Sequence, residues 1–317
     1  PVQLLLLTGA AATACVSTPA GVALISTNFL VRGKVRDLLF FVASLDAVVG
    51  IVALQVTYSL FPAGSGTVAF AGAAGLAWVA AALGLGVVCG ILFLWLSRPR
   101  PGREELVLFL LGAAAFSSGA ALQLQLSPLF VSVVMGAVVA NLSPEPERIY
   151  RVLQEWEKPI YVVFLLLAGA YLRITTWWVL PLALAYAVIR AGGKLLGNLA
   201  MVRIVPLPFP TPKRFGLGLL PQGGISLAMA LSGLLTYAGI SLRGMNAVDL
   251  LFATVVLGVT LSELTGPFFT RVILVRAGEI SPRVQEALDR RGTEKAHVQA
   301  MGPDGEGAGR GAAELDL

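Results

Sequence analysis

The sequence contains few charged residues, two cysteines and a single histidine. Only 13% of its 317 residues are charged, against roughly 25% in a typical soluble domain. Cys15 and Cys89 both lie in apolar stretches, so the cysteines indicate no disulfide framework. Because His297 lies in the polar C-terminal tail, the apolar part can hold neither a histidine metal cluster nor a histidine proton relay. That part also has no paired aspartates and no serine nucleophile elbow, so we expect neither an enzyme nor a cofactor.

Long apolar runs make up most of the chain. The sequence is 56% hydrophobic with a mean hydropathy of +0.82, and mostly apolar stretches of about 20 residues, enough to cross a bilayer as a helix, recur along it. We therefore predict an all-α polytopic protein of the cell (inner or plasma) membrane, with the lipid bilayer around it. In such a protein the net charge of +5 reflects the orientation of the loops, so we expect no nucleic-acid partner.

Nine membrane spans are predicted. They are expected near residues 3–28, 36–61, 66–97, 105–122, 128–142, 159–172, 176–202, 215–238 and 247–275. Basic residues concentrate in every second connection, whereas the connections between them hold at most one charge each. The basic positions are Arg32, Lys34, Arg36, Arg98, Arg100, Arg103, Arg148, Arg151, Lys158, Arg203, Lys213, Arg214, Arg271 and Arg276. Since cytoplasmic loops are enriched in Lys and Arg, this alternation predicts an external N-terminal end and a cytoplasmic C-terminus.

The composition changes after Gly278. Residues 1–278 form the predicted transmembrane domain, and residues 279–317 form a cytoplasmic tail rich in charged residues and glycine. The tail is predicted to be largely disordered, because it has too few apolar residues to bury. The chain begins at Pro1 without a methionine, and we therefore expect its true N-terminus to be missing.

Two of the predicted spans contain helix-breaking residues. The first span carries Pro19, and the eighth carries the run Pro221, Gln222, Gly223 and Gly224. Proline lacks a backbone donor and clashes with the preceding turn, and glycine removes the steric preference for a helix. By the loop charges these two spans run in opposite directions. Such residues can merely kink a membrane helix, but two interruptions in antiparallel spans indicate a transporter built from inverted repeats.

Four ionisable side chains lie within the predicted spans, where each would cost roughly 2.5–3.5 kcal/mol if it faced lipid at the helix centre. Asp46 lies about 15 Å into the second span, halfway through the bilayer core. Arg190 and Lys194 lie one turn apart in the seventh span, and Glu263 lies near the middle of the ninth. We expect Lys194, taken as the deeper of the pair, to contact a carboxylate or a free helix carbonyl, as a counter-charge or as part of a mechanism. Arg190 is expected to be structural, and Glu263 to serve in helix packing, an inner gate or transport.

Taken in order, these features resemble the monovalent cation:proton antiporter family, the bacterial sodium/proton exchangers and their potassium relatives. The matching segments are Ala11–Ile25 with Ser17-Thr18-Pro19, Gly33–Gly50 with Leu45-Asp46-Ala47, Lys158–Leu172, Arg190–Lys194 and Leu220–Ala230. The resemblance implies an inverted-repeat antiporter fold with two crossed, interrupted helices near Asp46. It also implies a core domain that moves against a dimerisation domain, and therefore a homodimer. Members of this family usually have more spans, so we expect the first few to be missing here.

The resemblance places transport at Asp46. One carboxylate can hold a proton or a monovalent cation but not both, so Na+ or K+ and H+ would displace each other there in turn. Ser17, Thr18 and the carbonyls freed by Pro19 are the further oxygen ligands that we expect for the transient cation. Many relatives have a polar or acidic neighbour beside the transport aspartate, whereas Asp46 has only apolar neighbours. This difference favours electroneutral exchange of one cation for one proton. Alternating access would expose Asp46 to one side of the membrane at a time.

Two other functions fit parts of the pattern. A sodium-coupled organic-anion symporter can share crossed, interrupted helices, and a larger apolar cavity with a second sodium site would favour it. A non-transporting sensor or scaffold could also be built on a transporter frame, and counter-transport in vesicles would exclude it.

Overall fold

The computed structural model describes residues 2–29, 31–62, 75–98, 101–174, 176–205, 209, 211–242 and 245–280. The described residues form ten α-helices, a short 3-10 helix and a pair of two-residue antiparallel strands. The helices are α1 Val2–Cys15, α2 Ala20–Asn28, α3 Lys34–Leu60, α4 Gly75–Leu96, α5 Arg103–Gln123, α6 Pro128–Leu142, α7 Pro146–Tyr171, α8 Val179–Ile204, α9 Gly223–Thr236 and α10 Ala247–Arg276. The 3-10 helix is Phe215–Leu219, and the strands are Ser241–Leu242 and Met245–Asn246.

The helices account for the nine predicted spans. Six segments are long and apolar enough to cross a membrane, namely Val2–Thr27, Lys34–Leu60, Gly75–Leu96, Arg103–Gln123, Val179–Ile204 and Ala247–Arg276. Three shorter apolar helical segments, Pro128–Leu142, Pro159–Tyr171 and Gly223–Thr236, correspond to the fifth, sixth and eighth predicted spans. The prediction of an all-α polytopic membrane protein is therefore confirmed.

Helix α7 begins earlier than predicted. The sixth span was expected to start at Pro159, with Arg148 and Arg151 in a loop before it, but α7 begins at Pro146 and continues through Pro159. A proline in the first helical turn gives up a donor that has no partner there anyway. By that rule a helix can begin at Pro146 or at Pro159, and the sequence alone did not show that this one begins at Pro146. Parts of other predictions, including the start of the third span and the tail from residue 281, lie outside the described residues.

The end of α10 is joined to the start of α3. Gly278 adopts a left-handed conformation with φ +72° that ends the helix. The next residue, Glu279, accepts hydrogen bonds from the backbone N–H of Val35 at 2.7 Å and of Arg36 at 3.0 Å. A carboxylate at this position satisfies free N–H groups of the first turn of α3 and neutralises the positive end of its dipole. The helix that carries Asp46 is thereby fixed to the last helix of the domain.

Apolar side chains on the interrupted segments divide into two clusters. The first cluster joins α1, the second half of α3, α9 and the first half of α10, and includes Ala12, Leu54, Leu227 and Phe252. The second cluster joins α2, the first half of α3, the 3-10 helix and the end of α10, and includes Val22, Leu39, Leu219 and Ile273. The chain passes from the first cluster to the second between α1 and α2, and back again between the 3-10 helix and α9. The two interrupted segments are therefore antiparallel.

Candidate functional site

The two interruptions contact each other at a point that we call the crossing, formed by residues 16–19 and 220–222. The backbone N–H of Thr18 donates to the carbonyl of Pro221 at 2.9 Å, and the Ser17 hydroxyl donates to the carbonyl of Leu219 at 2.7 Å. Gly223 has φ +65°, and a Cβ atom there would lie 2.9 Å from the Thr18 side chain. Only glycine satisfies both the conformation and the space at that position.

The interruption before α9 is the more extensive of the two. Between α1 and α2 only residues 16–19 are non-helical, and Pro19 stands at the N-terminal boundary of α2 with φ −70°. On the other segment, the part before the crossing is a five-residue 3-10 helix, and α9 starts only at Gly223. The interruption lies earlier than the sequence indicated, because Gly223 and Gly224 already belong to the first turn of α9.

Arg190 binds the free carbonyl groups of both interruptions. Its guanidinium donates to Val16 at 2.6 Å, to Leu220 at 2.7 Å and to Leu219 at 3.1 Å, and the residue is only 3% exposed. The carbonyl groups at an interrupted helix end lack intrahelical partners and carry partial negative charge. A planar guanidinium with five fixed donors can satisfy several of them at once. Arg190 therefore links α8 to both sides of the crossing.

Lys194 pairs with Asp46 beside the crossing. Its ammonium lies 2.5 Å from Asp46 Oδ2 and 2.8 Å from the carbonyl of Cys15, the last residue of α1. Both kinds of partner that the sequence predicted for Lys194 are thus present. The pair is not sealed from solvent, because the side chains of Lys194 and Asp46 are 13% and 25% exposed.

The predicted order of depth for the two cations was wrong. Arg190 lies nearer the middle of α8, Val179–Ile204, than Lys194 does, and it is also the more buried of the two. The basic end of this span is its C-terminal end, near Arg203. Arg190 is four residues, about one helical turn, further from that end than Lys194 and therefore lies deeper. Because of its contacts with three carbonyls and its burial, we expect loss of Arg190 to cost more stability than loss of Lys194.

The carboxylate of Glu263, on α10, binds the N-terminal end of α9. One carboxylate oxygen accepts from the backbone N–H of Gln222 at 2.8 Å and of Gly223 at 2.6 Å. An anion at this position neutralises the positive end of the α9 dipole, as Lys194 neutralises the negative end of α1. The two interrupted helices thus each have a side chain of the opposite charge at the crossing.

A buried polar cluster next to the crossing was missed by the sequence reasoning. The fully buried Gln222 amide donates to the Thr13 carbonyl at 3.1 Å and to the Tyr186 hydroxyl at 2.9 Å, and Tyr186 donates to the Thr13 hydroxyl at 3.3 Å. Gln222 Oε1 has no partner among the described residues. One signal was available, since Tyr186 precedes Arg190 and Lys194 at helical spacing and so shares their face of α8.

The two predicted hydroxyl ligands do not contact Asp46. Ser17 is fully buried and its hydroxyl is bonded to Leu219, while the Thr18 hydroxyl accepts from the backbone N–H of Ala20 at 3.3 Å. Within the described residues, the only side-chain partner of Asp46 is Lys194. The structure therefore brings Asp46 and Lys194 together and places Ser17 and Thr18 in contacts of the crossing itself.

Asp46 and Lys194 line a cleft of about 350 Å³, which we call the ion cleft. It follows α8 past Asn198 and Met201 to Thr211, on the side of the second cluster. Among the described residues, no group of three or more His, Cys, Asp and Glu side chains is placed to hold a metal ion. What the arrangement offers chemically is one partly exposed carboxylate with a cationic partner, and a carbonyl at the end of α1 that contacts the same cation.

Most of the chain matches a known protein-family model. The family model described as "Sodium/hydrogen exchanger, transmembrane" matches residues 1–276. A search among curated proteins found no match to the chain. The matched range contains the crossing, Arg190, Glu263 and the whole of the ion cleft, and it ends at the last residue of α10.

Proposed function

This chain belongs to the sodium/hydrogen exchanger family, and from that premise we propose that it exchanges Na+ or K+ for H+ at Asp46. The family consists of membrane cation:proton antiporters and not of enzymes. The observation that carries the proposal is the pair of Asp46 and Lys194 in the ion cleft, because it provides a single carboxylate that solvent can reach. Three cations can neutralise that carboxylate, namely the Lys194 ammonium, a proton and an alkali ion.

Competition at Asp46 would couple the two fluxes. An alkali cation that binds Asp46 displaces the ammonium, which keeps the Cys15 carbonyl as a partner. A proton on Asp46 removes the negative charge that attracts the cation, so each ligand lowers the affinity for the other. If Lys194 stays charged throughout, the exchange of one cation for one proton at Asp46 moves no net charge. We therefore propose electroneutral exchange.

Access to Asp46 from one side at a time is the second part of the proposal. Among the described residues, the lining of the ion cleft reaches Asp46 from the side of the second cluster. On the side of the first cluster, Tyr58 and Tyr237 pack edge to face at 5.5 Å, and their hydroxyls bond to Ser232 and to the Phe61 carbonyl. We propose that α1–α2 and α9 move with Asp46 so that the closed side opens as the cleft closes. The crossing supports this, because its hydrogen bonds make the two segments one unit.

We also propose a homodimer with its C-terminus in the cytoplasm. The family resemblance suggests the dimer, and the basic residues on the side of the ion cleft suggest the orientation. A chain without Cys15 and Cys89 but with Ala277→Cys should react with an impermeant maleimide only after spheroplasts are opened. Reaction in intact spheroplasts contradicts the orientation. A purified protein with the mass of a single chain, after correction for detergent, contradicts the dimer.

Proteoliposomes with an imposed pH gradient test the exchange directly. Addition of Na+ or K+ should drive proton flux in wild type, and Asp46→Asn should abolish it, because the amide keeps the volume but not the charge. Asp37→Asn is a matched control, since Asp37 lies on the same helix and is exposed, and it should keep normal flux. Cation-driven proton flux without any organic anion also excludes the symporter and the non-transporting scaffold. Normal flux in Asp46→Asn contradicts the proposal.

A further inference from the structure

A second depression, which we call the basic pocket, lies between the end of α2 and the start of α3. Its volume is about 450 Å³, and its lining includes Ser26, Thr27, Arg32, Arg36 and Phe40. The helices on either side belong to two consecutive membrane spans, so the pocket lies where the chain leaves the membrane and re-enters it. It shares no lining residue with the ion cleft.

Two of the residues that line the basic pocket each carry a buried donor with no partner among the described residues. The Ser26 hydroxyl is one of them, in a residue that is 8% exposed, and Nε of Arg36 is the other. A buried polar group without a partner destabilises the folded chain. Donors of this kind at the wall of a depression indicate that an acceptor from outside the chain completes them.

The charge at the basic pocket is mostly positive. Arg32 is exposed and has no ion pair within the described residues. Among the described residues, the Arg36 guanidinium has one ion-pair partner, Asp37 at 3.6 Å, in a largely exposed pair of the kind that contributes little. A further carboxylate near this end, that of Glu279, is already bonded to the backbone N–H groups of Val35 and Arg36. A ligand of the pocket should therefore be an anion with several acceptor oxygens.

We propose that the basic pocket binds a phosphate group, that of an anionic phospholipid. Arginine and hydroxyl donors are the partners that phosphate oxygens prefer. Basic pockets between membrane helices on the cytoplasmic side are suited to lipid head groups, which the bilayer supplies at high local concentration. The Phe40 ring lines the pocket beside the donors, with the Arg36 guanidinium 5.2 Å from its centre. An apolar side chain in the lining suits the acyl part of a lipid more than free phosphate.

The position of the basic pocket links it to the transport helices. Arg36 precedes Asp46 by ten residues on α3, which is about 15 Å of helix. Ser26 belongs to α2, the half-helix that follows the crossing. A head group bound between them would hold the end of α2 against the start of α3 on the side of the ion cleft.

Melting of the detergent-solubilised full chain with added lipid tests the proposal. Phosphatidylglycerol should raise the melting temperature more than phosphatidylcholine at the same ratio of lipid to protein. Arg32→Gln and Ser26→Ala should each reduce that difference by roughly half or more. Ser26→Ala should melt no lower than wild type without phosphatidylglycerol, because the hydroxyl has no partner to lose. This last result separates lost binding from general damage.

A matched control and a second ligand complete the design. Arg203→Gln removes an exposed arginine in the last turn of α8 and should keep the full difference between the lipids. A second outcome is that inorganic phosphate raises the melting temperature as much as phosphatidylglycerol does, and only when Arg32 is present. That result supports phosphate binding in the basic pocket but overturns the lipid as its source, since the occupant is then a soluble phosphate. An unchanged lipid difference in both Arg32→Gln and Ser26→Ala overturns the proposal. An equal loss in Arg203→Gln does the same, since it would mean general attraction to the surface.

Discussion

Replacement of Arg190 by methionine tests how the crossing is held together. Methionine keeps most of the volume and removes all of the donors. The carbonyls of Val16 and Leu220 then lose their side-chain partner, whereas that of Leu219 keeps the Ser17 hydroxyl. A buried acceptor without a partner costs about 1–3 kcal/mol, so two of them predict a loss of about 2–6 kcal/mol in the free energy of unfolding.

Lys194→Met is the matched comparison, one turn away on the same helix. It removes an ion pair whose two side chains are 13% and 25% exposed, and a partly hydrated pair of this kind is worth about 1 kcal/mol. Asp46 can then be hydrated in the ion cleft instead of being left dry. We therefore predict that Arg190→Met is the more destabilised variant by a clear margin.

The assay is thermal unfolding of the purified protein in one detergent, with both variants and wild type measured together. Each kcal/mol lowers the melting temperature by about 2–4 °C in a domain of moderate size. Equal shifts, or a larger shift for Lys194→Met, would refute the assignment of Arg190 as the residue that joins the two interruptions. Partial recovery in Arg190→Lys, which restores a cation but not the fork of donors, is expected.

Three further variants test other contacts of the fold. Gly223→Ala should lower the free energy of unfolding by about 1–3 kcal/mol, because φ is +65° and Thr18 fills the space. Its control, Gly233→Ala, lies in open space on the same helix and should raise that free energy by about 0.5–1 kcal/mol. Equal melting shifts in the two variants contradict this. Glu279→Ala should lower stability by about 1–2 kcal/mol through loss of the α3 cap, and no shift in melting contradicts the joint between α10 and α3. Glu263→Gln should lower stability by about 1 kcal/mol by weakening the charge at the α9 dipole, and an unchanged melting temperature contradicts that role.

Much of the fold was predictable because the bilayer imposes it. Every backbone group must be satisfied within a span, so apolar length alone predicts helices. The fifth span, 128–142, has the bounds of α6. The pair of interruptions was predictable for the same reason, since proline and glycine leave free backbone groups that lipid cannot satisfy.

The partners at the site were less predictable. Arg190 contacts three backbone carbonyls, which every residue carries and no sequence pattern marks. The hydrogen bonds of Gln222 to Thr13 and of Tyr186 to Thr13 join residues that are 209 and 173 positions apart. The order of Arg190 and Lys194 was misjudged because depth was measured without the packing that decides burial. Local rules specify which side chains need a partner, and the tertiary fold decides which partner each one gets.

Proton release on cation binding tests the central claim that Asp46 holds either ligand. The purified protein in weakly buffered detergent solution, at the pH of half-maximal exchange, should release protons when Na+ or K+ is added in place of an equal concentration of a bulky organic cation. Asp46→Asn should release none, and Asp37→Asn should release as much as wild type. Cation binding without proton release in the wild type, or undiminished release from Asp46→Asn, would contradict the claim.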